Sequence, residues 1–190
     1  MNNIDILEGE IRNRRAVYPA MYKDETISKE ELLEIIDNAR WAPTHRLTQP
    51  WRFIVFQSES LVKLSEYLGE YYQKNTPEES FSEIKFNKTI GKPLKSGCVL
   101  AIILHRDPEE KVPEWEEVAS LGMAVQNIWL SCSARGIGAY WSSPQSAIMA
   151  NDFLNLAENE KCLGLFYMGW RKTNPPAPER KPMEDIVSYF

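Results

Sequence analysis

The chain predicts a layered domain of α/β or α+β class, and three observations carry that. Its 190 residues suit one compact unit with a sizeable core. Two short apolar runs, Cys98–Leu104 and Cys162–Gly169, read as strands buried on both faces. Segments with a 3.6-residue apolar period alternate with these runs. The connection lengths leave parallel and mixed sheets both open.

The elements follow in order. Asn3 to about Arg12 places Ile4, Leu7 and Ile11 on one helical face. Ser28-Lys29-Glu30-Glu31 reads as a capping box, because the Ser28 hydroxyl can accept the Glu31 N–H while the Glu31 carboxylate reaches back. The helix behind it carries Leu32, Ile35, Ile36 and Ala39 on one stripe and stops at Pro43. Phe53–Phe56 is a strand. Ser58 is placed to cap a helix with Leu61, Leu64, Leu68, Tyr71 and Tyr72 inward. Residues 73–93 turn polar and charged. They read as a surface excursion that either covers a pocket or is a solvated connection, with room for a short helix. Glu114–Arg135 is the longest helical pattern, with Val118, Leu121, Val125, Ile128, Trp129 and Cys132 in period and the small residues Ala119, Gly122 and Ala124 beside them. Gly136 suits the left-handed position after it. Ala139–Trp141 is a short strand. Ser143 then reads as an N-cap with Pro144 at the first helical position. The tail is Pro-rich, basic at Arg180-Lys181, and ends in Ile186-Val187-Ser188-Tyr189-Phe190, an apolar end that wants a covering surface.

Composition narrows the function. A net charge of -5 argues against nucleic acid as the main partner. No apolar run approaches the ~20 residues that span a bilayer, and the first residues lack the basic-then-apolar pattern of a secretory signal. Cys98, Cys132 and Cys162 stand in apolar surroundings without a CxxC, so they read as free thiols in a reducing cytoplasm. His45 and His105 have no second ligand at metal-binding spacing, so no metal site is expected. Gly136-Ile137-Gly138 is not a dinucleotide fingerprint, because no strand precedes it.

Two stretches carry candidate chemistry. Between Pro43 and Pro50 lie Thr44, His45, Arg46, Thr48 and Gln49, a polar loop held at both ends, with Trp41 and Trp51 at its edges as packing residues. Taken locally, it is either an ordinary helix-to-strand connection or a site for a flat ligand with polar edges. Arg14 and Arg15 are either solvated cations at a helix C-terminus or contacts to a phosphate or polar ring.

Taken together, the motifs form a specific series. Asn13-Arg14-Arg15-Ala16-Val17 is followed by Ala42-Pro43-Thr44-His45-Arg46-Leu47-Thr48-Gln49-Pro50-Trp51. Next come Gly122-Met123-Ala124-Val125-Gln126-Asn127-Ile128, Ala134-Arg135-Gly136-Ile137-Gly138 and Tyr140-Trp141, and the series ends in Leu165–Gly169 and Arg180–Val187. In order and spacing this resembles the flavin-dependent nitroreductase family over nearly the whole chain, and most of all its short members of the minimal enteric-bacterial type. The resemblance implies an α+β fold with a mixed central sheet wrapped by helices, one FMN-binding domain over residues 1–190, and an intertwined homodimer with FMN at the subunit interface. Arg14, Arg15 and Ala16 of one subunit would contact the FMN, and His45 and Gln49 would reach it from the other. Trp141, Ser142 and Ser143 would lie along its ring or tail, and Arg180 or Lys181, with Arg171 as competitor, would meet the phosphate. Ser131–Gly136 matches a segment associated with the nicotinamide. The implied activity takes hydride from NADH or NADPH and reduces nitroaromatic, quinone or related small acceptors in a ping-pong cycle. Its rivals are a specialised member (flavin fragmentation, dehalogenation, peptide dehydrogenation) and an FMN-binding module with little turnover.

The residue chemistry agrees. A guanidinium fork can hold a phosphate dianion bidentately, and the Gln49 amide can both donate to and accept from a flavin edge. The cofactor supplies the hydride chemistry, so no catalytic residue is required of the chain. Two positions depart from the family pattern. Ala16 stands where Ser or Thr is frequent, and Ser142 stands where the nearest relatives carry arginine, which removes one positive charge from the site and bears on redox tuning and acceptor preference.

Overall fold

The apolar run at Cys98 forms the spine of the fold. In the computed structural model, which describes residues 2–190, it is strand β2, Cys98–His105, and its first seven residues are buried. It is enclosed by β1 (Trp51–Phe56) on one side and β4 (Glu160–Trp170) on the other, and β4 is flanked by β3 (Ile137–Ser142). The order β1-β2-β4-β3 makes β2 and β4 central, which explains why their sequences lack the polar alternation of a one-sided strand. All three strand pairings are antiparallel, and the parallel contribution of a mixed sheet comes from the bridge between Ala16 and Ala139 on the outer edge of β3.

Strand alternation divides the core. Leu100, Ile102 and Leu104 face one layer, and Val99, Ala101 and Ile103 the other. The first layer holds Leu32 and Ile35 of α2 (Lys29–Asp37) and Leu121, Val125, Ile128 and Cys132 of α5 (Glu114–Ala134). The second holds Leu61, Leu64 and Leu68 of α3 (Glu59–Asn75), with Ala147 of α6 (Gln145–Ile148) and Leu154 of α7 (Asn151–Leu154). A bulge between Ile102 and Ile103 lies opposite Gly164, whose φ is +134°. A Cβ there would stand 2.6 Å from Trp141 Nε1 and 2.5 Å from the Ser142 carbonyl oxygen. The missing side chain therefore lets Trp141 lie across β4.

Several local expectations needed correction. Ser28 accepts the Glu31 N–H at 3.1 Å, but the return arm of its box is absent; the complete capping box joins Asn2 and Asp5 at the start of α1 (Asn3–Asn13). The helix over Leu32 gives way at Asn38 to a 3-10 turn that reaches Trp41. Ser58 does not cap α3: its φ is +51°, and the Ser60 hydroxyl takes the Gln57 N–H instead. Ser143 does not cap α6 either, because Pro144 occupies the cap position of what is a single helical turn. Within 73–93 the chain forms α4 (Glu83–Leu94), which packs along α3 through Phe86 and Ile90. Trp51 packs against the core as expected, whereas Trp41 is 78% exposed. Gly136 takes the expected left-handed conformation after α5, φ +79°.

Among the described residues, no helix is long and apolar enough to cross a membrane. Helix α1 buries none of its residues, and Ile4, Leu7 and Ile11 lie open on its surface. Val118 and Met123 leave an apolar stripe on the outer side of α5, beside Ala119 and Gly122.

Candidate functional site

The residues singled out in the sequence fall into two groups, at opposite ends of α5. The first forms where α1 ends. Arg14 is the C-cap of α1 in an extended conformation, so the chain leaves the helix and runs beside β3. Ala16 bridges Ala139, and the Val17 N–H donates to the Ala139 carbonyl at 3.0 Å. The Arg14 guanidinium stacks over the Trp129 ring, 4.4 Å from its centroid, and the Trp129 indole N–H donates to the Arg15 carbonyl at 3.2 Å. Arg15 folds back on its own helix, donating from one terminal nitrogen to the Arg12 and Arg14 carbonyls. Its Nε is buried without a hydrogen-bond partner.

The tail adds a third guanidinium here. Asn174 donates to the Asn13 carbonyl at 3.1 Å and ties the tail to the end of α1. Burial, then the charge of Arg180, then that of Arg15, push the Arg14 guanidinium below its ordinary range. Among the late basic residues, Arg180 is the one whose charge contributes to this lowering. Arg171 sits at the end of β4, in a bridge to Tyr22. Among the described residues, none of Arg14, Arg15 and Arg180 has a carboxylate partner. The arginine ion pairs among the described residues use Arg12, Arg40, Arg52, Arg106 and Arg135. Two half-buried guanidiniums with an exposed third and an unused buried donor are chemically suited to an anion with several acceptor oxygens.

Strand β3 brings Trp141, Ser142 and Ser143 to the same edge. Trp141 is half-buried and donates to the Leu163 carbonyl at 3.0 Å; Ser142 is half-buried, and Ser143 is exposed. Tyr18, Tyr140 and Lys92, none of them among the expected FMN contacts, stand beside them. The Tyr18 ring packs tilted against that of Tyr140 with centroids 4.8 Å apart, and the Lys92 ammonium of α4 lies 5.9 Å over the Tyr140 ring. Burial and neighbouring Lys88 lower the Lys92 pKa. The signal for Lys92 was present in the sequence, in the spacing of Lys85, Lys88, Lys92 and Lys95 along one face of α4. Tyr18 and Tyr140 had no local signal, since they meet only once the chain after α1 is laid along β3.

The second group is the Pro43–Pro50 loop. Arg46, Leu47 and Gln49 all have positive φ, a costly conformation for side chains of this kind. The Gln49 N–H donates to the Thr44 hydroxyl at 3.1 Å, which holds the coil closed; the Gln49 side chain is exposed. His45 is exposed and paired through Nδ1 with Glu116, in the first turn of α5. A cavity of about 400 Å³ lies beneath, lined by Thr44, His45, Trp115, Glu116, Ala119 and Met123.

Thus His45 is anchored at Glu116 and Arg14 at Trp129. These helix positions are 13 residues apart, about 20 Å along the axis. Arg14, Arg15 and Ala16 lie towards one end of α5, with His45 and Gln49 towards the other. The Ser131–Gly136 segment closes a third region: Arg135 is held by the Ser131 hydroxyl and Glu34, at the edge of a groove between α1 and α5 that Trp41 and Leu130 also line.

Comparison with known proteins matches this chain to the model of the Nitroreductase family over residues 11–170. YfhC of Bacillus subtilis, whose name marks it as a candidate NAD(P)H nitroreductase, is 26% identical over 184 residues, covering 95% of this chain and 92% of that protein. A nitroreductase-like family protein from Bacillus cereus superposes with a TM-score of 0.81 at 21% identity, covering 100% of this chain and 98% of that one. A candidate nitroreductase from Desulfovibrio desulfuricans, solved in complex with FMN, superposes with a TM-score of 0.76 at 22% identity over the same shares of the two chains.

Proposed function

We propose, from the premise that this chain belongs to the nitroreductase family, that it is an oxidoreductase holding FMN between two copies of itself. When bound, FMN would supply the ring that takes hydride from NADH or NADPH and passes electrons to a nitroaromatic, quinone or related acceptor, the two substrates using one face in turn. The observation that carries the reading is the Arg14–Arg15–Arg180 cluster, three guanidiniums without a carboxylate partner among the described residues and with a buried donor unused. A phosphate dianion would relieve their repulsion and occupy Arg15 Nε. Trp141, Ser142 and Ser143 would then lie along the ring or tail, with Ala16 contributing backbone alone. Lys92 and Tyr18 stand where positive charge and a phenol could meet the polar edge of the ring.

The same reading explains why the loop and the arginines are so far apart. His45 and Gln49 would serve the partner subunit's flavin. If two α5 helices cross antiparallel at Gly122 and Met123, Glu116 of one comes opposite Trp129 of the other, since the two lie equally far from that crossing. Gly122, with no atom within 4 Å of a Cβ, and the exposed Met123 suit such a crossing. Residues 1–190 act in this reading as one FMN-binding domain. The 73–93 segment, which places α4 beside Tyr140, covers the site instead of merely joining α3 to β2. Three free, buried thiols suit a reducing cytoplasm.

The test is direct. Purified protein should carry yellow FMN at one per subunit, and the colour should bleach on anaerobic addition of NADH or NADPH and return on adding a quinone or nitroaromatic. Flavin that neither nicotinamide reduces would leave a binding module. Failure to retain FMN would remove the reading altogether.

A further inference from the structure

Helix α4 carries Lys85, Lys88 and Lys92, and Lys95 caps its C-terminus. Spacings of three, four and three put these side chains on one helical face, where like charges repel. The macrodipole favours cations in the last turn, but it does not reach Lys88 in the middle, and it does not explain why Lys92 is half-buried. Among the described residues, no carboxylate lies within ion-pair distance of Lys88, Lys92 or Lys95. The lysine ion pairs among the described residues belong to Lys23, Lys111 and Lys161.

This face borders a cavity of about 360 Å³, lined by Lys88, Lys92 and Lys95 on one side and Tyr18 on the other. A second cavity, of about 470 Å³, shares Lys95 and the Pro19-Ala20 turn with the first and adds Lys172. Of its two acids, Glu25 is already paired with Lys23, and Asp24 stands alone. The two cavities adjoin at Lys95 and the Pro19-Ala20 turn, and the lysines lining them outnumber the acids. Lys88 and Lys95 are about 10 Å apart along the helix. A single carboxylate on an acceptor would need one of these cations, whereas a row of them suits a long ligand with a phosphate monoester at its far end.

We propose that Lys88 and Lys95 hold the 2′-phosphate of NADPH at the mouth of the site, so that the protein prefers NADPH to NADH. The inference rests on the nicotinamide-dependent reading above. The two co-substrates present the same nicotinamide and pyrophosphate, so a preference between them reports the 2′-phosphate alone. That group is a dianion near neutral pH, and NADH lacks it.

The experiment compares wild type with the K88Q/K95Q double variant, both loaded with FMN. Both substitutions are on exposed side chains and leave the core untouched. Wild-type kcat/KM for flavin bleaching should be about tenfold or more higher with NADPH than with NADH, and the variant should lose most of that ratio. Calorimetry with adenosine 2′,5′-bisphosphate provides a readout independent of turnover: it should bind wild type more tightly than 5′-AMP, less so at high salt, and the variant should not discriminate. A wild type that uses both nicotinamides equally, or a variant that keeps the preference for NADPH, overturns the inference and leaves the flavin enzyme standing. Bleaching by neither nicotinamide ends the enzyme reading, and 2′,5′-bisphosphate binding that depends on Lys88 and Lys95 would still support the lysine face as the phosphate site.

Discussion

Replacing Arg14 by alanine separates a ligand-binding role from a structural one. In the protein without FMN, Arg14 gains from stacking on Trp129, worth about 0.5–1 kcal/mol at a half-exposed position. It loses through burial and through repulsion by Arg180 and Arg15. These effects oppose each other, so the flavin-free melting temperature should move by no more than about 3 °C, given ~2–4 °C per kcal/mol for a chain of this size. With FMN bound the balance changes sign. A charge-assisted contact to phosphate is worth about 1.5–3 kcal/mol, so R14A should weaken FMN binding roughly 10- to 150-fold. R14K, which keeps the charge and loses the fork, should fall between. Fluorescence of FMN released during equilibrium dialysis measures the affinity, and a thermal melt of the stripped protein measures the fold. Unchanged flavin retention in R14A, or a fall in the flavin-free melting temperature well beyond 3 °C, would refute the reasoning.

Three further outcomes follow from the same structure. Glu160 is buried and accepts from Arg52, His105 and the Ala157 N–H; burial alone would raise its pKa, but these three together outweigh burial and hold it below the usual carboxylate range. A depressed folded pKa means stability that is present above the usual carboxylate range and lost as pH falls through it, so acid denaturation followed by circular dichroism should show E160Q about 1–2 kcal/mol less stable at pH 7 and nearly equal to wild type at the acid end. In the proposed dimer, placing a carboxylate on the outer stripe of α5 with M123D should raise the dissociation constant at least about tenfold in sedimentation, with FMN retention falling alongside, because an unpaired charge would be buried at the proposed crossing; a dimer that keeps its flavin would move the interface elsewhere. Burial pushes the Cys98 thiol up to about 12 and raises those of Cys132 and Cys162 as well, so a disulfide reagent at pH 8 should titrate no thiol in the native protein and all three in denaturant.

The sequence by itself determined the elements and the chemistry available to them. Cys98–Leu104 and Cys162–Gly169 read as strands covered on both faces, because an uninterrupted apolar run leaves no polar face for water, and the sheet order places them centrally. The period of Leu121, Val125, Ile128 and Cys132 fixed the buried side of α5. Arg14, Arg15, His45, Gln49 and Trp141 were legible as a set only through their order and spacing. Tertiary structure decided where these residues stand. Hydrogen bonding across strands set the antiparallel order, which connection lengths had left open. The positive φ values at Arg46, Leu47 and Gln49 have no signal in residue type, because these side chains normally avoid that region and adopt it here under the constraint of Pro43, Pro50 and Thr44. The tail contact through Asn174 brings the tail to the end of α1, where the charge of Arg180 acts on Arg14, a contact across 161 residues that no local pattern encodes. The separation of the loop from the arginines belongs to the folded chain as well: the rigid length of α5 holds His45 at one end and Arg14 at the other.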